Sequence, residues 1–158
     1  MDKDRKQSRY QRIREQLAGL LGKSQDPVAR MATVAALLYH KFDHFFFCGF
    51  YRLLDGDLVV GPYQGPLACQ VLARGRGVCW AAVQRGETVN VPDVRLFPGH
   101  IACDARSLSE IVVPVRDKSG AIVAVLDVDS DKTDQFDEVD ARQLEMIVDL
   151  LARHEDGT

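Results

Sequence analysis

Two β-prone runs, Ser109 to Arg116 and Ala121 to Ser130, flank the turn Asp117-Lys118-Ser119-Gly120, and this hairpin constrains the chain more than any other stretch. With Arg116 set opposite Ala121, Glu110 falls opposite Asp127. Side chains alternate faces along a strand, so Asp129 shares the face of Asp127. Absent a bulge, the hairpin gathers Glu110, Asp127 and Asp129, with Val112, Val123 and Val125 covering the rest of that face. Carboxylates opposed across a sheet destabilise it. Such a cluster persists when a cation sits there, when a carboxyl keeps its proton, or when water solvates exposed strand ends. The first two alternatives describe a pocket for an ammonium group or a metal, with at least one carboxyl able to act as an acid near neutral pH. No contiguous loop supplies the further oxygens that Ca²⁺ or Mg²⁺ would need.

The remaining elements follow from periodicity. Tyr10, Ile13, Leu17, Leu20 and Leu21 lie on one face of a helix from Arg5 that stops at Gly22. Asp26-Pro27 reads as an N-cap and first helical residue, opening a second helix to about His40. The aromatic run from Phe45 to Leu54 is β-prone, Asp55-Gly56 turns the chain, and Leu58 to Val60 returns. Leu67 to Leu72 reads as another strand, Gly77 to Gln84 as a short helix, and Thr88 to Val91 as a strand stopped by Pro92. Residues 92–108 have no periodicity, and so long a loop inside a compact domain is usually functional or disordered. Phe136, Val139, Leu144, Ile147, Val148 and Leu151 mark a C-terminal helix with Asp134 as its cap. The order implies an α+β single domain over 1–158. It has helices in 1–40, a mainly antiparallel sheet of five or six strands with its loops in 45–130, and a helix in 134–154. The terminal helices pack on one face.

Composition excludes several functions. With 20 Lys and Arg against 23 Asp and Glu, the 158-residue chain carries a formal charge of -3, unlike a nucleic-acid binder with concentrated basic charge. Its longest apolar runs, such as Ala121 to Leu126, fall far short of a membrane span. The charged start Met1-Asp2-Lys3-Asp4-Arg5-Lys6 leads into no apolar segment, so no secretory signal is expected. A reducing cytoplasm is the expected compartment, and the four cysteines are read first as thiols.

No C-x-x-C occurs, and the spacing of Cys69, Cys79, Cys103 and His100 does not match a structural zinc pattern. Cys48, beside Gly49 in the aromatic strand, reads as a core thiol. Cys103 lies in the long loop, close in sequence to His100, Arg106 and Glu110. Cationic neighbours would lower its pKa and raise its thiolate fraction. A loop thiol near a protonatable carboxyl and an acidic pocket suits redox chemistry, with Cys69 or Cys79 able to resolve an oxidised Cys103.

The motifs Gly77-Val78-Cys79, Asp93-Val94, Phe97-Pro98-Gly99-His100-Ile101-Ala102-Cys103-Asp104, Ser109-Glu110-Ile111-Val112-Val113-Pro114 and Leu126-Asp127-Val128-Asp129-Ser130 resemble the free methionine-R-sulfoxide reductases, which are GAF-domain enzymes. The likeness covers nearly the whole chain. It implies one GAF domain, with Cys103 as the nucleophile on the sulfoxide sulfur and Glu110 and Asp129 handling the sulfoxide oxygen. It further implies that Asp127 holds the substrate ammonium, that Cys69 resolves Cys103 as a disulfide, and that Cys79 is an auxiliary cysteine. No bound cofactor or metal is implied; thioredoxin is the implied external reductant. Phe47, where the family carries tryptophan, and Tyr51 would wall the substrate methyl group, with Ile101 and Ala102 also at the substrate. Trp80 is read both as a core ring and as filling the space left by Phe47. GAF relatives commonly pair through terminal helices, so the resemblance admits a homodimer. The competing class is a non-catalytic GAF module that binds a small ligand or senses redox state. Such a module has no need of the set Cys69, Cys103, Glu110, Asp127 and Asp129.

Overall fold

Local sequence signals start the elements. Asp2 caps the first helix, α1 (Lys3–Leu20), by accepting from the Arg5 amide. Asp26 caps α2 (Pro27–Lys41) through the Ala29 amide, with Pro27 at the first helical position as expected. The computed structural model describes residues 1–100 and 102–153. Strands β1 (Phe47–Leu54) and β2 (Asp57–Gln64) form the first hairpin, followed by α3 (Val78–Arg85) and the short β3 (Val89–Val91). β4 (Ser109–Arg116) and β5 (Ile122–Ser130) form the second hairpin, and α4 (Glu138–Arg153) closes the described chain. The strands make one five-stranded sheet in the order β2-β1-β5-β4-β3, every neighbour antiparallel.

The two sheet faces bury different things. Helices α1, α2 and α4 cover one face, where Tyr10, Leu17, Leu38, Leu144 and Ile147 pack on Cys48, Phe50, Ile111, Leu126 and Val128. Most of the stripes read from the sequence face the core, but Leu20, placed on the α1 stripe, is exposed instead. Cys48 is fully buried there. Helix α3 covers part of the other face, over Phe47, Tyr51, Val91, Val112 and Val125, and the remainder of that face is left for a cavity. Among the described residues no helix is long and apolar enough to cross a membrane.

Three readings change. Leu67 to Leu72 forms no strand; one bridge, Val59 to Val71, holds the segment against β2, and Leu67 is exposed. The cap of α4 is Asp137, which accepts from the Val139 and Asp140 amides, whereas Asp134 sits upstream in a left-handed turn with φ 55°. The register of the second hairpin is set by a bulge. Arg116 pairs with Ile122 but Val115 with Ala124, so Val123 is extra and points into solvent rather than covering the face. Glu110 consequently faces Asp129, and Asp127 faces Val112. The slip relative to the unbulged register amounts to two residues at Glu110, one full strand period, so the three acids keep a common face.

A buried polar knot docks α1 on α4. Asp140, with no exposed surface, accepts from the Tyr10 hydroxyl at 2.6 Å, from Lys6 Nζ at 2.7 Å and from the Asp137 amide at 2.9 Å. Asp140→Ala would leave the buried Lys6 ammonium with Asp137 alone, 3.3 Å away, and would strand the buried Tyr10 phenol. We expect a loss of about 3–5 kcal/mol, the range for breaking one side of a buried ion pair, measured as a lowered urea midpoint at unchanged slope.

Candidate active site

The floor of the cavity is built by strand alternation. Glu110 of β4 and Asp129 of β5 are paired, and Asp129 is also opposite Phe47 of β1. Asp127 is opposite Gly49. A side chain at Gly49 would have no room: a Cβ there would lie 2.2 Å from the Tyr63 Cβ. Glycine thus lets β2 bring Tyr63 close against β1. Tyr63 in turn stacks on Phe47, with ring centroids 5.5 Å apart. Glu110 and Asp127 are buried and Asp129 is half-buried.

Two loops and one helix end make the walls. The segment after β2 is tied to the sheet by the Val60 amide to the Gln70 carbonyl at 2.9 Å and by the Leu72 amide to the Leu58 carbonyl at 3.0 Å. This tether presents Cys69. The long loop before β4 is ordered by backbone bonds from Val94 to Leu108 at 2.9 Å and from Leu108 to Ser130 at 2.8 Å, with a short 3-10 turn at Val94–Leu96. It presents Cys103. The N-terminus of α3, entered through Gly77 at φ 89°, brings in Cys79. Together they enclose about 240 Å³ lined by Phe47, Tyr51, Cys69, Cys79, His100, Ala102, Cys103, Glu110, Asp127 and Asp129 with neighbouring loop residues.

Cys69 and Cys103 are joined as a disulfide, their Cα atoms 5.5 Å apart and 34 positions apart in sequence. Cys69 is half-buried and Cys103 is exposed, so the bridge sits at the cavity mouth. Cys79 is a free, buried thiol.

Electrostatics separates the three acids. Burial drives Glu110 and Asp129 well above the ordinary carboxylate range, and the charge of Asp127 pushes both the same way. Burial also raises Asp127, but hydrogen bonds from Glu110, Asp129 and Cys79 favour its charged form. Of the three, the surroundings of Asp127 most favour the charged form, and those of Glu110 and Asp129 most favour the protonated form. Burial beside Asp127 keeps the Cys79 thiol protonated. Oδ1 of Asp127 and Oδ1 of Asp129 are buried without a hydrogen-bond partner. Orphaned acceptors beside an open cavity call for a donor from a ligand.

Some sequence expectations fail here. Of the two readings of Trp80 the core ring holds, packed at the edge of the α3 core, while the substrate-side reading does not, since Trp80 does not line the cavity. Ile101 lies outside the described residues. The cationic neighbours expected to activate Cys103 are otherwise engaged. Arg106 grips Asp104 through two hydrogen bonds of 3.0 and 2.7 Å and lies 5.0 Å over the Phe46 ring, while burial lowers the pKa of His100 and favours its neutral form. Ser107, two residues ahead of Ser109 in the family motif but given no role from the sequence, donates to Asp129 at 3.4 Å. A serine two residues outside the strand has no periodic signal; only the fold of the loop brings it in.

The GAF domain family pattern matches residues 25–154. GAF domain-containing protein A of Dictyostelium discoideum is 46% identical over 152 residues, covering 96% of this chain and 95% of that protein. The free methionine-R-sulfoxide reductase of Escherichia coli is 44% identical over 126 residues, covering 80% of this chain and 76% of that protein. The X-ray structure of free methionine-R-sulfoxide reductase from Neisseria meningitidis, in complex with its substrate, superposes with a TM-score of 0.87 at 41% identity, covering 94% of this chain and 89% of that one. The acid-floored, cysteine-rimmed cavity and these likenesses lead to one conclusion: the chain belongs to the GAF-domain family, among its free methionine-R-sulfoxide reductases.

Proposed function

We propose that the chain reduces free L-methionine-(R)-S-oxide to L-methionine at Cys103. The observation that carries this reading is the Cys69–Cys103 bridge at the mouth of a cavity floored by Glu110, Asp127 and Asp129. A free amino acid brings an ammonium group, which the charged, orphaned oxygen of Asp127 suits. The sulfoxide oxygen needs a proton as its bond to sulfur breaks, and burial together with the charge of Asp127 pushes Glu110 and Asp129 toward their protonated forms. Phe47 and Tyr51 give the methyl group an apolar wall.

The chemistry then balances in three steps. The Cys103 sulfur attacks the sulfoxide sulfur while Glu110, assisted by Asp129, protonates the oxygen. The S–O bond of the substrate then breaks, the hydroxyl passes to the Cys103 sulfur as its bond to the methionine sulfur cleaves, and methionine leaves Cys103 as a sulfenic acid. Cys69 attacks that sulfur, water departs, and the observed disulfide results. A dithiol reductant of the thioredoxin class reopens the bridge by exchange, and the exposure of Cys103 gives it access. The pairing of Cys69 with Cys103, rather than either with Cys79, favours Cys69 as the resolving residue. The proximity of the bridge to three acids favours an enzyme over a passive ligand module.

The testing experiment is a coupled assay of the purified protein with both methionine sulfoxide epimers and a thioredoxin system. Turnover of the R epimer is expected. The S epimer and peptide-bound sulfoxide should be poor substrates, the latter because an amide cannot supply the charge that Asp127 binds. Comparable rates for free and peptide-bound sulfoxide would remove Asp127 from its role.

A further inference from the structure

Cys79 is not consumed by the two-cysteine sequence above, yet it sits at the cavity floor. Its Sγ and one oxygen each of Glu110 and Asp127 lie within 4.8 Å of one another, and all three residues are buried. A further donor, His100, lines the same cavity outside that 4.8 Å group. It is within electrostatic reach of Asp127, and its Nε2 is buried without a hydrogen-bond partner. Asp127, only 5% exposed, aims an unpartnered oxygen at the same space.

Sulfur, imidazole nitrogen and carboxylate oxygen together form a donor set that borderline-soft divalent cations prefer, and hard ions such as Mg²⁺ do not. A tetrahedral zinc with bonds of about 2.0–2.3 Å holds its ligands roughly 3.3–3.8 Å apart, so a contraction of about 1 Å closes the three protein donors on one ion. Neutral His100 is in the form that ligates.

We propose that Cys79, Glu110 and Asp127, with His100 as fourth ligand, form a binding site for a borderline-soft divalent cation such as Zn²⁺, which occupies the position of the substrate ammonium and holds the enzyme inactive. The ion displaces the protons of Cys79 and Glu110 and supplies the positive charge that Asp127 otherwise takes from substrate. The inhibitory half of this proposal rests on the reductase reading; the site itself does not.

The test titrates the full chain with Zn²⁺ against a chromophoric chelator, once as the disulfide and once reduced. One equivalent should bind in both states, because Cys79 stays free when Cys69 and Cys103 are joined. Cys79→Ser and Asp127→Asn should each weaken binding about 100-fold or more, since losing a ligand costs no less than losing its outer partners. Co²⁺ gives a readout that needs no variant. The oxidised chain should show thiolate-to-metal absorption, which must come from Cys79 because Cys48 is buried on the opposite sheet face. Binding confined to the reduced chain would place the ion on Cys69 and Cys103 and overturn the site, as would full affinity in Cys79→Ser. In steady state Zn²⁺ should raise the apparent KM at constant kcat; a lowered kcat at constant KM would overturn the shared position. A chain that binds Zn²⁺ as described but leaves the sulfoxide untouched would uphold the site and remove the reductase reading.

Discussion

Cys69→Ser releases about one equivalent of methionine per chain and then stops, whereas Cys103→Ser releases none. The difference follows from which bond each sulfur makes. Without Cys103 no sulfur attacks the sulfoxide. Without Cys69 the first half-reaction completes, but the sulfenic acid has no partner at the observed 5.5 Å Cα separation. Cys79 is a poor substitute, since burial beside Asp127 keeps its thiol protonated and therefore weakly nucleophilic. The check is a single-turnover measurement of methionine against enzyme, followed by steady state with a thioredoxin system. Normal cycling of Cys69→Ser would transfer the resolving role to another thiol.

Glu110→Gln slows the chemical step on the order of 10²-fold or more, the usual contribution of a positioned acid. The amide preserves shape and some hydrogen bonding but brings no transferable proton. The same substitution should have the opposite effect on stability, and its sign can be worked out. The folded-state pKa of Glu110 is raised above the unfolded value of about 4.3. Its contribution is therefore fully present below that value. As pH climbs above it the unfolded chain releases the proton while the folded chain keeps it, and stability falls until the folded pKa is passed. Glu110→Gln should gain stability over the parent between acid and neutral pH, read as a urea midpoint difference that widens with pH. An unchanged rate, or a difference independent of pH, would show that Glu110 does not carry the held proton.

The parts of the molecule most legible in the sequence are those decided by neighbours a few residues away. The Asp26-Pro27 start of α2 is a local hydrogen bond and a fixed backbone angle, so it could be read directly. The grouping of Glu110, Asp127 and Asp129 was legible because strand alternation survives a two-residue slip. The slip itself was not, because whether Val123 bulges depends on how Arg116 closes the turn, bonded to the Gly120 and Gly86 carbonyls. Asp134 and Asp137 are equally good caps on composition; Asp137 is selected by Lys6, which arrives from the other end of the chain. Leu67 to Leu72 looks apolar enough for a strand, but its task is to carry Cys69 to the rim. In the sequence Trp80 can be given to the substrate as filling the space left by Phe47, but it packs at the edge of the α3 core and does not line the cavity.

The cross-link spans 34 residues and is made and unmade once per proposed turnover. Closing a loop of that size stiffens the unfolded chain by about 3–4 kcal/mol in the chain-entropy account. For a protein of this size that corresponds to a melting-point difference on the order of 10 °C. Heat resistance thereby reports redox poise. Sulfoxide would toughen the molecule by oxidising it, and the electron donor would soften it again, so a melting curve taken under oxidative load would display the balance between the two.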